Sequence, residues 1–485
     1  MSYTEIARAL PFEGAPKINN ADVIGASRGR PVLVRIAVTG ERPISYSAEG
    51  LPEGLILDGC IISGKVMSDG DYKFKLRAEN ALGSYEKDVT LEVRERSILI
   101  TPLLGFTSWN AFGHLVSQEK IEHTAEKMLE LGITEYGYAY VNTDSGWQGE
   151  YGGKFDAIMP NKAFPDMKGM CDKLHSLGLK AGIYANPMRY AYGYPLDFDP
   201  VPPGVTEGEP DIRFNDEKGG IGLIRKEKNN ALQWAKWGFD YLKYDWNPSD
   251  PYNAEAMRRE LIATDRDFGL CISLKALPEY HAYWSKYPSS YRCNPDSICT
   301  WSSFMGIYRS FFNFMEYGNR GHYFDLDMLD LGKCHMFDIY NFPDLPDYGF
   351  TEDEAIMVYS TRAFLNSPIQ ISCDLDYLDE FLLSVYCNDE IIAINQDSLC
   401  DTARPVTIIE RGDAILHVWK RRLCDGSFAF AVFNLGKTTE EVKIMLDGES
   451  LVRDVWAKRD LGTMNVIKES VVSHTVRIYK ATPKN

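Results

Sequence analysis

Between residues 100 and 400 short apolar runs alternate with amphipathic helical stretches, and this alternation restricts the fold more than any other feature of the chain. Ser117 to Leu131 carries Ile121, Ala125, Met128 and Leu131 on one helical stripe, and Gly137-Tyr-Ala-Tyr-Val-Asn-Thr-Asp144 follows as a strand. Leu179 to Asn186 comes after a glycine stop at Gly178, and Phe239 to Tyr244 after another at Gly238. A helix around Ala254 to Asp267, a strand Gly269 to Leu274, two less regular units ending near Asp296 and Asp327, a helix Glu352 to Leu365 and a strand Pro368 to Asp374 complete the series. Strands separated by helices pair in parallel, because each crossover returns the chain to the same end of the sheet. The series predicts an α/β fold with a single (β/α)8 TIM barrel. Met188 to Gly222, rich in Pro and Gly and without apolar periodicity, fits a loop over the mouth of such a barrel.

On both sides of this region the pattern becomes β. Pro31 to Val38, Ile56 to Gly64, Asp71 to Ala78 and Lys87 to Val93 read as short strands separated by turn residues. After Asp397, the runs Asp413 to Lys420, Ser427 to Asn434, Glu441 to Leu446 and Val472 to Tyr479 read as antiparallel strands. The expected domains are an N-terminal β-sandwich over residues 1–97, the barrel over 98–400 and a C-terminal antiparallel β-sandwich over 401–485. A chain of 485 residues has room for three such units.

The formal net charge of −17, with no basic stripe, argues against nucleic acid and against an anionic membrane surface as partners. It fits a neutral substrate. The ten cysteines show no CxxC pair and no zinc spacing, so they read as free thiols of a reducing compartment. Met1 to Arg8 lacks a basic segment followed by an apolar one, which points to the cytoplasm unless a leader was removed. Nothing in the sequence calls for a cofactor, and homo-oligomerisation is left open.

Trp234-Ala-Lys-Trp-Gly-Phe-Asp-Tyr-Leu-Lys-Tyr-Asp245 brings an acid to the tip of a predicted strand, with Lys243 two residues earlier on the same face. A carboxylate in that place on a barrel is a candidate catalytic group, and a neighbouring cation would favour its ionised form. Asp144, Asp296 and Asp327 also fall at or near predicted strand ends. Four acids at one mouth suit either a metal site or sugar chemistry with one ionised and one protonated carboxyl. Only His322 lies close enough in sequence to join a metal set, which favours the second.

The blocks Thr101-Pro-Leu-Leu-Gly-Phe-Thr-Ser-Trp-Asn-Ala-Phe, Val141-Asn-Thr-Asp-Ser-Gly-Trp, Gly178-Leu-Lys-Ala-Gly-Ile-Tyr, Tyr241-Leu-Lys-Tyr-Asp and Ile391-Ile-Ala-Ile-Asn-Gln-Asp resemble, in order, the signature blocks of glycoside hydrolase family 27. That family comprises α-galactosidases and α-N-acetylgalactosaminidases. The resemblance implies that Asp245 is the nucleophile and Asp296 the acid/base of a retaining double displacement. Arg292, Lys243 and Asp144 then become sugar-hydroxyl ligands, Trp109 the aromatic platform under the sugar, and Tyr184 a ring beside the nucleophile. It also implies a carboxyl separation of about 5–5.5 Å and a raised pKa for Asp296. Gly50-Leu-Pro-Glu-Gly-Leu and Ala78-Glu-Asn-Ala-Leu-Gly-Ser resemble the immunoglobulin-like module attached to bacterial glycosidases, with packing against the barrel as its expected role.

The sequence departs from the family pattern at several places. Ser145 replaces the second of two adjacent acids that hold the 4- and 6-hydroxyls, which weakens one clamp. Lys275 stands where the family places Glu or a small residue near the 2-substituent, and is expected to pair with a neighbouring Asp ahead of meeting a sugar. The family's Trp-Arg-x-x-x-Asp-Ile is Tyr291-Arg-Cys-Asn-Pro-Asp-Ser here, and its Asn-Asp-Pro-Asp-Met-Leu is Phe324-Asp-Leu-Asp-Met-Leu. The expected substrate is a terminal α-D-galactoside, with a β-L-arabinopyranoside as the alternative. A catalytically silent carbohydrate-binding protein would be favoured by loss of Asp245 or Asp296, and both are present.

Overall fold

The structure, a computed structural model, describes residue 3 and residues 13–195, 197–214 and 220–484. The N-terminal stretch read for a leader lies outside the described residues except for Tyr3, and so do small parts of the expected first domain and of the Met188–Gly222 run.

Eight parallel strands form the central sheet: β1 Leu104–Thr107, β2 Tyr140–Asn142, β3 Lys180–Ala185, β4 Tyr241–Asp245, β5 Gly269–Ser273, β6 Ser290–Tyr291, β7 Tyr323–Phe324 and β8 Ile369–Ile371. Neighbours follow chain order from β1 to β7, and β8 pairs with β1. The two less regular units of the sequence are the two-residue strands β6 and β7. Between β7 and β8 the ring closes through one parallel bridge, Leu329 to Ile371. The Leu329 amide donates to Gln370 O at 2.8 Å and the Ser372 amide to Leu329 O at 2.8 Å. Along this junction the buried guanidinium of Arg362 donates to the carbonyls of Leu326, Asp327 and Met328 at 3.1–3.3 Å. A (β/α)8 barrel thus forms with one thinly laddered wall.

Local chemistry sets the helices. Ser117 caps the helix Gln118–Glu130 by accepting from the Lys120 amide, and the stripe Ile121, Ala125 and Met128 is buried. Thr351 and Glu354 form a capping box at the start of Glu352–Phe364. Gly238, at φ 109°, ends the helix Glu227–Trp237, where an L side chain would be strained, and releases the chain into β4.

Ahead of the barrel, strands Val23–Ser27, Ser45–Glu49, Gly70–Asn80 and Gly83–Arg94 form one sheet, and Pro31–Arg35, Leu55–Asp58 and Ile61–Lys65 another. Leu76, Val89, Leu91, Val93, Ile36 and Ile62 fill the core they share. This unit is tied to the barrel by Arg30, which donates to Ile262 O at 2.7 Å, and Arg35, which donates to Leu177 O at 2.8 Å. Tyr3 is not part of it: its hydroxyl donates to Asp454 Oδ1 at 2.8 Å and its ring packs near Trp456. After the barrel comes a six-stranded antiparallel sheet. One face of that sheet carries its own core around Leu416, Val432 and Val452, and Trp419, Phe433 and Ile478 on the other join the barrel core.

Candidate active site

The C-terminal ends of β1 to β5 and the loops after β6 and β7 enclose a cavity of about 450 Å³. It is lined by Trp109, Asp144, Ser145, Tyr184, Lys243, Asp245 and Asp296 among the expected site residues. Parallel register explains the convergence. Tyr184 on β3 lies level with Lys243 on β4, and Asp245 lies level with Ser273 on β5. Residues two apart on a strand share a face, so Lys243 and Asp245 stack along one line toward the mouth.

Asp245 Oδ2 accepts from the Tyr184 hydroxyl at 2.8 Å, while Oδ1 is buried and has no partner. Burial pushes the Asp245 carboxyl above its ordinary value. The Lys243 charge opposes that, the Asp296 charge adds to it, and Arg292 and the Tyr184 hydrogen bond work against it. Lys243 acts on Asp245 in the expected direction, but burial outweighs it. The Lys243 ammonium donates to Asp144 Oδ2 at 2.8 Å, not to Asp245. Burial would lower Lys243; the Asp144 and Asp245 carboxylates outweigh it and hold the cation above its ordinary value. Asp144, 2% exposed, also accepts the Ser145 amide at 2.8 Å.

On the opposite wall Arg292 Nη2 donates to Asp296 Oδ1 at 2.8 Å and pairs with Asp327 Oδ2 at 3.0 Å, and Nη1 donates to Ser273 Oγ at 3.1 Å. Burial opposes the Arg292 charge, and the Asp327 and Asp296 carboxylates outweigh it, so the guanidinium stays charged. The side chain of Asp296 is 68% exposed and that of Arg292 3%. Behind Asp327, burial pushes the Asp325 and Asp330 carboxyls each up to about 6. The positions between the acids are thus held by two cations, Lys243 and Arg292.

Two expectations need correction. Arg292 does not line the cavity; it is spent on holding Asp296 and Asp327. Lys275 does not line it either, and among the described residues its side chain makes no ion pair or hydrogen bond. Leu274 and Lys275 both have positive φ, 69° and 52°, and this turn at the end of β5 puts Leu274 on the cavity and leaves Lys275 exposed.

The long loop after β3 covers the site, as its composition suggested. Ser145 Oγ donates to the carbonyls of Tyr192 and Gly193, the latter at 2.6 Å. The Ser145 hydroxyl therefore fastens the loop and is not free to hold a ligand. Gly193, at φ 50°, rests on the Trp109 ring, and a Cβ built there would lie 2.4 Å from it. Gly193→Ala is expected to displace the indole and to raise KM on the order of tenfold with kcat little changed. Steady-state kinetics check this, and an unchanged KM would show that the ring yields without consequence.

Sequence reasoning missed several lining residues. Asn110 stood inside a motif block quoted above but was given no role, and its Nδ2 is buried without a partner; Asp327 lines the cavity as one of the four acids expected at the mouth. Tyr192 and Gly193 lie in the loop expected over the mouth but were not singled out, and Tyr340 comes from an irregular segment that carries no sequence signal of the cavity.

The chain matches two family models, one described as Alpha galactosidase A over residues 110–202 and one as the Alpha galactosidase C-terminal beta sandwich domain over residues 413–481. It is 25% identical over 450 residues to the alpha-galactosidase of Cyamopsis tetragonoloba, covering 89% of this chain and 98% of that one. It is 27% identical over 419 residues to alpha-galactosidase A of Cellvibrio japonicus, covering 79% and 92%. Among solved structures, a Bacteroides fragilis protein assigned as an alpha-galactosidase/melibiase superposes with a TM-score of 0.84 at 29% identity, covering 98% of this chain and 100% of that one.

Proposed function

We propose that this chain, a glycoside hydrolase built from the domains of the α-galactosidase family, releases terminal α-D-galactose with retention of anomeric configuration. One observation carries the reading: Asp245, half-buried and held by the Tyr184 hydroxyl, lines one cavity with Asp296, whose carboxyl is exposed. In the first half-reaction the Asp245 carboxylate attacks the anomeric carbon. The bond from that carbon to the glycosidic oxygen breaks as the ester bond forms, and the Asp296 carboxyl gives its proton to the departing oxygen. In the second half Asp296, now a carboxylate, takes a proton from water. The hydroxide oxygen bonds the anomeric carbon and the ester bond returns its electron pair to Asp245. Tyr184 holds the Asp245 carboxylate in place through Oδ2, and Trp109 offers an apolar face to the sugar ring. Asp144 and Asn110 supply an acceptor and a donor for its hydroxyls.

Ser145 supports a second reading. Its hydroxyl is spent on the loop, so one clamp for the exocyclic hydroxymethyl group is missing, and a β-L-arabinopyranoside lacks that group. The test is to compare nitrophenyl α-D-galactoside with nitrophenyl β-L-arabinopyranoside. The galactoside is expected to have the higher kcat/KM by about tenfold or more, the scale of one small group in a pocket. The reverse order would establish the second reading. Proton NMR of the first sugar formed is expected to show the α-anomer of galactose; the β-anomer appearing first would rule out retention.

A further inference from the structure

We propose that Ser297 and Asp330 form a buried latch that holds the backbone beside Asp296, so that both are positioning residues for delivery of its proton. The inference rests on the glycosidase reading above.

Asp296 sits in the stretch 292–297, which has neither helix nor strand, and its side chain is 68% exposed. A mobile carboxyl would deliver a proton poorly, because general acid catalysis needs the donor within hydrogen-bond reach of the departing oxygen. What fixes this stretch on its far side is Ser297. Its amide donates to Asp327 Oδ2 at 2.6 Å, and its hydroxyl donates to Asp330 Oδ2 at 3.1 Å. Ser297 is 5% exposed and Asp330 1%. Asp330 Oδ1 has no partner, and the charge opposing its burial is that of Arg362, the guanidinium that also holds the carbonyls of Leu326, Asp327 and Met328. Asp296 is thus held from two sides: by Arg292 at its carboxyl, and by Ser297 at the following residue.

The chemistry of the position departs from the family pattern given above. The family pattern has an isoleucine where Ser297 stands, and a buried hydroxyl demands an acceptor. Asp330 supplies one from the segment after β7, so the pair links the acid's loop to the thin wall of the barrel. Asp330 does not line the cavity; it balances the buried Arg362 charge and, through Ser297, ties the acid's loop to it.

Leaving-group dependence tests the proposal. An alkoxide must be protonated as it departs, whereas dinitrophenolate leaves without help. Ser297→Ala and Asp330→Ala are each expected to lower kcat/KM, which reports only the first half-reaction, about tenfold on an α-galactosyl disaccharide and less than about twofold on dinitrophenyl α-galactoside. The double variant is expected to lose no more than either single one, because the two act as a unit. Ser297→Thr, which keeps the hydroxyl, is expected to restore the disaccharide rate. If Asp330→Ala does not fold, Ser297→Ala and Ser297→Thr decide the matter. Equal losses on both substrates, or no loss on the disaccharide, would overturn the latch while leaving the glycosidase reading intact. A wild-type protein inert toward both substrates would overturn that reading, and the latch with it.

Discussion

Asp245→Asn is expected to lower turnover of nitrophenyl α-galactoside by at least about 10⁴-fold, the scale seen when a covalent nucleophile is removed. The amide can still accept the Tyr184 hydrogen bond, so the local structure should survive. Stability should not fall with activity. The folded protein holds the Asp245 carboxyl above its ordinary value, so it binds that proton more tightly than the unfolded chain does. Such a group costs stability progressively as pH rises from the unfolded value, near 4, through the folded one. Asparagine never ionises and escapes that cost, so the melting temperature of the variant at neutral pH should equal or exceed that of the wild type. Kinetics and thermal melting on the same preparations check both halves. A variant that keeps activity within tenfold of the wild type would remove Asp245 from the chemistry.

The second large effect is expected at Lys243. Lys243→Met removes the partner of Asp144, which is 2% exposed, and an ionised carboxylate left unpaired in such a place costs about 3–5 kcal/mol. It also removes the largest influence that lowers the Asp245 carboxyl. Burial then pushes that carboxyl further up, and because the nucleophile must be ionised, the acid limb of kcat/KM should move to higher pH. A fall in kcat/KM on the order of 10²-fold is expected from the misplaced acceptor and the altered nucleophile together. Adding Asp144→Asn should recover much of the lost stability, since the orphaned charge goes with it, but not the activity. The experiment is a pH–rate profile with thermal melting of the single and double variants. An acid limb that stays in place would show that Lys243 serves Asp144 alone.

The barrel was legible because periodicity and glycine stops are local signals. The stripe from Ile121 to Met128 and the stop at Gly238 each fixed an element to within a few residues. Asp245 was legible for the same reason, at the end of a regular strand. Strands β6 and β7 were indistinct because only two residues of each join the sheet, too few to show a period. The site was legible where motifs carry it and opaque where long-range geometry decides. Ser145 looked like a weakened sugar ligand; that its hydroxyl fastens a loop some 47 residues away depends on how the loop folds back. Lys275 looked like a pocket residue by position, but two left-handed backbone conformations in a row turn it outward. Arg292 was read as touching substrate, whereas two acids take up its guanidinium.

The barrel wall between β7 and β8 has a bearing of its own on how such a site diversifies. Elsewhere in the ring, main-chain ladders hold neighbouring strands whatever side chains they carry. Here a single bridge does so, and Arg362 rivets the carbonyls of residues 326–328 in place of the absent ladder. A side chain thus shares with one backbone bridge the task of holding the wall from which Asp327 and Met328 reach the cavity. A substitution along that seam can re-aim the acid side of the site without breaking the sheet. A change of equal size beneath Asp245, where β4 is laddered on both flanks, would have to move two neighbouring strands with it. The molecule therefore joins a rigid nucleophile wall to an adaptable acid wall.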